Sequence, residues 1–130
     1  MANYDDKWME KWKDTVNADP VARRLGKFMT VNFGMSYGDT KYLIKVYEGQ
    51  IMEVINLTGQ NVQNFPHEFS LDASVEAWDK FILDPPPAMF HDLWGMAHPL
   101  HRHMVVNGNT HVFWQNIRAL CWMYDLVRAV

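Results

Sequence analysis

A single cysteine, Cys121, stands among the 130 residues. An internal disulfide framework needs a second, and a multi-cysteine metal site needs more, so both are excluded. Charge of one sign is equally scarce. Twelve Lys and Arg face fifteen Asp and Glu, for a net charge of -3, and the basic residues are scattered along the chain. A grip on a phosphate backbone requires a clustered basic surface, so nucleic acid is not an expected partner. No apolar run reaches the about 18 residues that a transmembrane helix requires. The Met1-Ala2-Asn3-Tyr4-Asp5-Asp6 start lacks the pattern of a signal peptide, which leaves the Asn56-Leu57-Thr58 sequon without consequence, and Ala129-Val130 is no peroxisomal address. Repeats and low-complexity tracts are also missing. The expectation is one cytoplasmic domain over residues 1–130, with a helical segment at 1–24 and a core at 25–130.

Large apolar side chains are plentiful. Hydrophobic residues make up 48% and aromatics 14%, with six Trp and nine Met. A chain of this size can bury about 68% of its unfolded surface, so a core forms without staples. The surplus of aromatics and methionines points to a cavity or an apolar contact surface.

The apolar pattern divides the chain into elements. Tyr4, Trp8, Trp12 and Val16 recur every four residues, with Met9 beside them, which predicts an amphipathic helix. Pro20 ends it or opens a short second helix capped by Asp19 and stopped at Gly26. The period then becomes two. Met29, Val31, Phe33 and Met35 mark one strand, Lys41 to Tyr47 a second and Gln50 to Leu57 a third, joined by turns at Tyr37-Gly38-Asp39-Thr40 and Glu48-Gly49. Residues 58 to 67 read as a loop, Glu68 to Asp72 as a short strand and Val75 to Leu83 as a helix ended by Pro85-Pro86-Pro87. Ala88 to Ala97 fits one or two helical turns. His101 to Val106 reads as a fifth strand and Asn107-Gly108 as a turn, after which Asn109 or Thr110 caps a last helix running towards Val130. That helix is apolar over most of its circumference, so it needs cover on two sides: the sheet on one, and a partner subunit, another helix or a ligand on the other.

This order of elements resembles the sterol carrier protein 2 (SCP2-like) domain family. The segment Met104-Val105-Val106-Asn107-Gly108-Asn109, leading into Thr110-His111-Val112-Phe113-Trp114, is similar to the family's closing strand, turn and helix. Phe69-Ser70-Leu71-Asp72 and the following Ser74-Val75-Glu76-Ala77-Trp78-Asp79-Lys80-Phe81 match a second signature. The likeness runs from about Leu25 to Val127. It implies an α+β fold in which helices cover one face of a five-stranded, mainly antiparallel sheet, with an apolar cavity between. It also implies binding of sterols, fatty acyl chains or other lipids without a cofactor, as a carrier or as an accessory domain in enzymes or lipid-quinone synthesis. Between Phe81 and Met104 the chain departs from the family, with the proline run, Trp94 and a histidine cluster where the family places small residues beside the tunnel entrance. Such bulk would narrow or reshape the cavity.

The candidate cavity lining is Trp78, Phe81, Phe90, Trp94, Met104, Val106, Phe113, Ile117, Leu120 and Cys121. The competing interpretation is a packed core with no room inside. A hydrophobic small molecule is the expected ligand, and an element around Pro85 to Pro99 would gate its entry. A homodimer or an enzyme partner is the alternative that the terminal helix leaves open. The histidines offer an enzymatic alternative. His101 and His103 share a face if their segment is a strand, and with His98 they have ligand types suited to Zn²⁺ or to acid–base work, with His91 and His111 nearby. Neither a cysteine nor an HExxH spacing accompanies them, and a solvated strand face explains them as well. Trp8 and Trp12 would either dock on a membrane or partner or pack on their own domain, and the mixed charge opposite them favours packing. Cys121 sits in an apolar helix without a cationic neighbour and reads as a structural thiol.

Overall fold

The structure is a computed structural model that describes residues 4–60, 65–83, 86–87, 90, 92–97 and 103–129. In chain order the elements are α1 (Asp6–Ala18), α2 (Pro20–Leu25), β1 (Val31–Tyr37), β2 (Thr40–Tyr47), β3 (Gln50–Asn56), β4 (Phe69–Ala73), α3 (Val75–Phe81), α4 (Leu93–Ala97), β5 (Met104–Gly108), α5 (Thr110–Gln115) and α6 (Ile117–Asp125), followed by a 3-10 turn, Leu126–Ala129.

The first helix starts where the Asp5 carboxylate accepts the Trp8 N–H at 2.9 Å. A negative cap there also complements the helix dipole. The four-residue spacing turns Trp8, Met9, Trp12 and Val16 to one side, and all four are buried. Asp19 then separates α1 from α2. Its Oδ1 accepts from Val21 and Ala22 at 2.8 and 2.9 Å, with Pro20 at the first helical position, where no donor is needed. The Ala22 N–H holds the Asp19 carboxyl below the usual carboxylate range.

The five strands lie in the order β3-β2-β1-β4-β5. Three of the four pairs are antiparallel, and β1 with β4 at the centre is parallel. The sheet is therefore mixed. Alternation places Val31, Phe33, Met35 and Tyr37 of β1 on the same buried face as Tyr42, Ile44 and Val46 of β2. Helices cover this face: Tyr124 of α6 lies against Phe33, and Trp78 of α3 against Tyr37. On the opposite face Asp72 accepts hydrogen bonds from Ser36 of β1, Ser70 of its own strand and Asn107 of β5, at 2.9, 2.9 and 2.7 Å. That carboxylate ties three strands together.

Of the boundaries that differ from the sequence expectation, three shape the layer under the helices. The first strand runs on through Tyr37, because pairing with both β2 and β4 continues to that residue. The last strand is Met104–Gly108, so Asn107-Gly108 belongs to the ladder with β4, while His101 lies outside the described residues. The long terminal helix breaks at Asn116. Its side-chain amide donates to the Val112 carbonyl at 2.9 Å, a local bond that competes with the helical ladder. The break aims α5 at β4 and β5 and lets α6 pack against α2 and α4. The second apolar side of the terminal helix thus has helices of its own chain for cover.

Two turns meet backbone to backbone. A Cβ on Gly26 would stand 2.7 Å from Gly49 Cα, and one on Gly49, whose φ is +82°, would stand 2.8 Å from the Gly26 carbonyl. The Gly49 N–H donates to the Met29 carbonyl at 3.1 Å. Only unsubstituted backbone fits here, and the contact locks α2 to the β2–β3 hairpin. Gly26→Ala should lower stability by about 1–3 kcal/mol. Urea unfolding followed by tryptophan fluorescence measures this, and an unchanged midpoint would show that the two turns are free to separate.

Candidate functional site

The layer between sheet and helices is the candidate site. Trp78 is its centre. Ser74 caps α3 by accepting the Ala77 N–H at 3.1 Å, which turns Ala77, Trp78 and Phe81 inward. The Trp78 indole donates to the Ser36 carbonyl of β1 at 2.9 Å. Its ring lies 5.1 Å from Tyr37, 5.4 Å from Phe81 and 5.9 Å from Tyr124. Tyr124 stacks on Trp12 at 4.9 Å, and the Trp12 indole donates to the Met123 carbonyl at 2.8 Å. Phe33 stacks on Phe69 at 5.2 Å, with Phe113 edge-on to Phe69 at 5.6 Å.

Methionines belong to the same buried core as these rings. Met9, Met29, Met35, Met96, Met104 and Met123 are each no more than 1% exposed. Two of them accept hydrogen bonds from phenols: Tyr37 donates to Met9 Sδ at 3.5 Å and Tyr124 to Met35 Sδ at 3.1 Å. Burial pushes both phenols well above their ordinary value, so they remain neutral donors. Nearer the start of α1, Tyr4 donates to Asp79 Oδ1 at 2.8 Å, and burial again raises the phenol.

The candidate lining divides into three groups. Trp78, Phe81, Met104, Phe113 and Leu120 are fully buried in this layer, and Phe90 nearly so. Val106, Ile117 and Cys121 are half-buried and pack on its edge. Trp94 points outward from α4, 59% exposed, with its ring 6.4 Å from that of Trp114. Sequence reasoning left out Trp12, Phe33, Phe69, Tyr37 and Tyr124, which the structure places in the same layer. The signal for Trp12 was its four-residue spacing, and for Phe33 the strand alternation.

One end of the layer is tied by Arg128. Its guanidinium donates to the carbonyls of Phe81 and Phe90 at 2.9 and 3.1 Å, pairs with Asp125 at 3.2 Å and lies 4.5 Å over the Phe81 ring. Six of the fifteen residues of the expected gate at Pro85 to Pro99 lie outside the described residues, and α4 lies within it. Open surface concavities of about 360 to 640 Å³ occur elsewhere. One is lined by Tyr4, Asp6, Thr40 and Tyr42, one by Pro66, His67 and Glu68, one by Phe28, Glu68 and Val112, and one by Arg23, Lys27, Phe28, Tyr47 and Met52. None of these four reaches the candidate lining.

Of the histidine cluster, His98 and His101 lie outside the described residues, as does His91. His103 is half-buried with its ring 4.5 Å from that of Phe90, and His111 is exposed on α5. No group of three His, Cys, Asp or Glu suited to a metal ion occurs among the described residues. None of the described helices is long and apolar enough to cross a membrane.

Searched by sequence, the chain matches no protein-family model and no curated protein. By structure it is similar to a crystal structure of sterol carrier protein 2, with a TM-score of 0.78 over 99% of both chains at 10% identity. It is also similar to a conserved hypothetical protein from Thermus thermophilus suggested to be a sterol carrier protein, at TM-score 0.71 and 10% identity over 98% of this chain and 90% of that one. A UbiJ-SCP2 ubiquinone synthesis protein follows at 0.54 and 12% identity over 93% and 88%. The chain has the SCP2-like fold.

The environment of Cys121 gives a direct check on this layer. Burial pushes its thiol up to about 11 from an ordinary value of 9.0. About a hundredfold less thiolate is then present near neutral pH, so alkylation by iodoacetamide should be slowed about a hundredfold relative to free cysteine. Alkylation of the folded chain at the free-cysteine rate would place Cys121 in solvent instead.

Proposed function

We propose that this chain binds and carries a hydrophobic small molecule, a fatty acyl chain, a sterol-like ring or an isoprenoid, in the layer between sheet and helices. The observation that carries this reading is the methionine-filled aromatic interior. Methionine is unbranched, has three rotatable bonds and adapts to irregular shapes, so six of them make a core that can be re-formed around a guest. The fold likeness supports it, because two of the similar structures are described as a sterol carrier protein and a suggested one.

The mechanism is sequestration. Each CH₂ removed from water contributes about 0.8 kcal/mol, so affinity follows the length of the guest. Trp78, Phe81, Met104, Phe113 and Leu120 would form the wall. Release would begin at Phe90 and the segment beyond it, where the Arg128 contacts are the tie to be undone. A second reading, an accessory module seated on a second copy or an enzyme, is supported by the exposed Trp94–Trp114 pair.

Native mass spectrometry of the purified full chain, followed by denaturing extraction, tests the carrier reading. The expected result is a co-purified apolar molecule, or uptake of an added isoprenoid or fatty acyl lipid at one per chain. An empty chain that takes up none of them would contradict it. Light scattering in the same buffer tests the second reading: Trp94→Ser should leave a monomer unchanged and should dissociate a dimer if the tryptophan pair is its contact.

A further inference from the structure

The buried donors of the interior are not treated alike. The Trp12 and Trp78 indoles donate to backbone carbonyls at 2.8 and 2.9 Å, and Tyr4 donates to a carboxylate. Tyr37 and Tyr124 are also deeply buried, at 2% and 0% exposure, yet the acceptor each one has is a methionine thioether. A thioether is a weak acceptor. A phenol taken from water into an apolar core without a good acceptor keeps an uncompensated desolvation penalty. Two such hydroxyls therefore stand ready for a better partner. The two phenols also flank a single ring, Trp78, so they serve the same part of the layer. The groups that occupy their acceptor positions, Met9 and Met35, are the side chains best able to swing aside.

Charge narrows the guest further. No Lys, Arg or His is among the buried described residues, whose polar side chains apart from the tyrosines are Ser36 and Ser70. An ionised carboxylate brought here would meet no buried cation among the described residues to offset its desolvation. The Arg128 guanidinium, which lies over the Phe81 ring, is already engaged with Asp125 and two carbonyls.

We propose that Tyr124 and Tyr37 are the polar anchor of the ligand site, and that the ligand is a neutral lipid with one hydrogen-bond-accepting oxygen, an alcohol or ketone on an apolar body, rather than a free fatty acid. This rests on the carrier reading and specifies its ligand class. On binding, the methionine sulfur leaves the phenol and the ligand oxygen takes its place. The ring stack holds the hydroxyls where they already point, so at the anchor itself the methionines are the side chains that reorient.

Three ligands with one skeleton test this: farnesol, farnesene and farnesoic acid, titrated into the full chain by calorimetry at about pH 8, where the acid is ionised. Farnesol should bind about tenfold tighter than farnesene, a difference of about 1.4 kcal/mol, and the acid should bind more weakly than the alcohol. Tyr124→Phe should remove most of the alcohol's advantage while leaving farnesene unchanged. Tyr37→Phe is the second variant should the first fail to fold. Met35→Leu, which keeps the volume and deletes the sulfur, should widen the gap between alcohol and hydrocarbon. Equal binding of farnesol and farnesene, tightest binding of the acid, or a gap that survives both Tyr→Phe changes would overturn the anchor and leave the carrier reading standing. Binding of none of the three would overturn both.

Discussion

An indole in a dry interior must find an acceptor, and the rest of this structure is arranged around how Trp78 finds one. Its N–H reaches the Ser36 carbonyl in the central strand. That bond fixes α3 over the sheet at the parallel β1–β4 pair, the join on which the five-stranded order depends. With Trp78 in place, Tyr37, Phe81 and Tyr124 gather around its ring. Tyr124 brings α6, and its stacking on Trp12 brings α1. Aromatic pairs of this geometry contribute about 0.5–1.5 kcal/mol each beyond the area they bury. On the far side of the sheet, Asp72 stitches the same strands with hydrogen bonds. The layer is therefore rigid where the rings and strands meet and soft where the methionines lie.

That division of labour makes an otherwise packed core compatible with a guest. Leucine or isoleucine in place of the six methionines would give a jigsaw core with sharper rotamers and little capacity to open. On the carrier reading, binding occurs by opening the interior, because none of the four surface concavities reaches Trp78, Phe81, Met104, Phe113 or Leu120. Arg128 is placed to control such opening, because one side chain holds the end of α3, Phe90 and the terminal turn.

Much of the architecture was legible in the residues. The spacing of Trp8, Trp12 and Val16 marked α1, the period-two runs marked β1 to β3, and the segments around Phe69 and Met104 carried the likeness to the SCP2-like fold. The parallel pairing of β1 with β4 was not legible, because a local period says nothing about which distant strand lies alongside. Nor was the break at Asn116, where one side-chain amide outcompetes an apolar pattern that continues unbroken through it. Within the site, Trp78, Phe81, Phe113 and Leu120 were visible as apolar positions, whereas Trp94 carries the same pattern yet faces outward because α4 is a short helix at the rim. Tyr37 and Tyr124 were hidden for a different reason. What distinguishes them is the sulfur each one meets, 28 and 89 residues away in sequence. Acceptor quality is a property of packing and leaves no trace in spacing.

The central claim is that the methionine-filled interior opens around an apolar guest. The most direct test is the NMR spectrum of methyl-labelled methionine in the full chain as farnesol is added. The methyl signals of buried Met9 and Met35 should move together and saturate at one ligand per chain, while exposed Met52 stays in place. Shifts confined to Met52, or buried methyl signals that never move, would show that the interior stays closed and would contradict the claim.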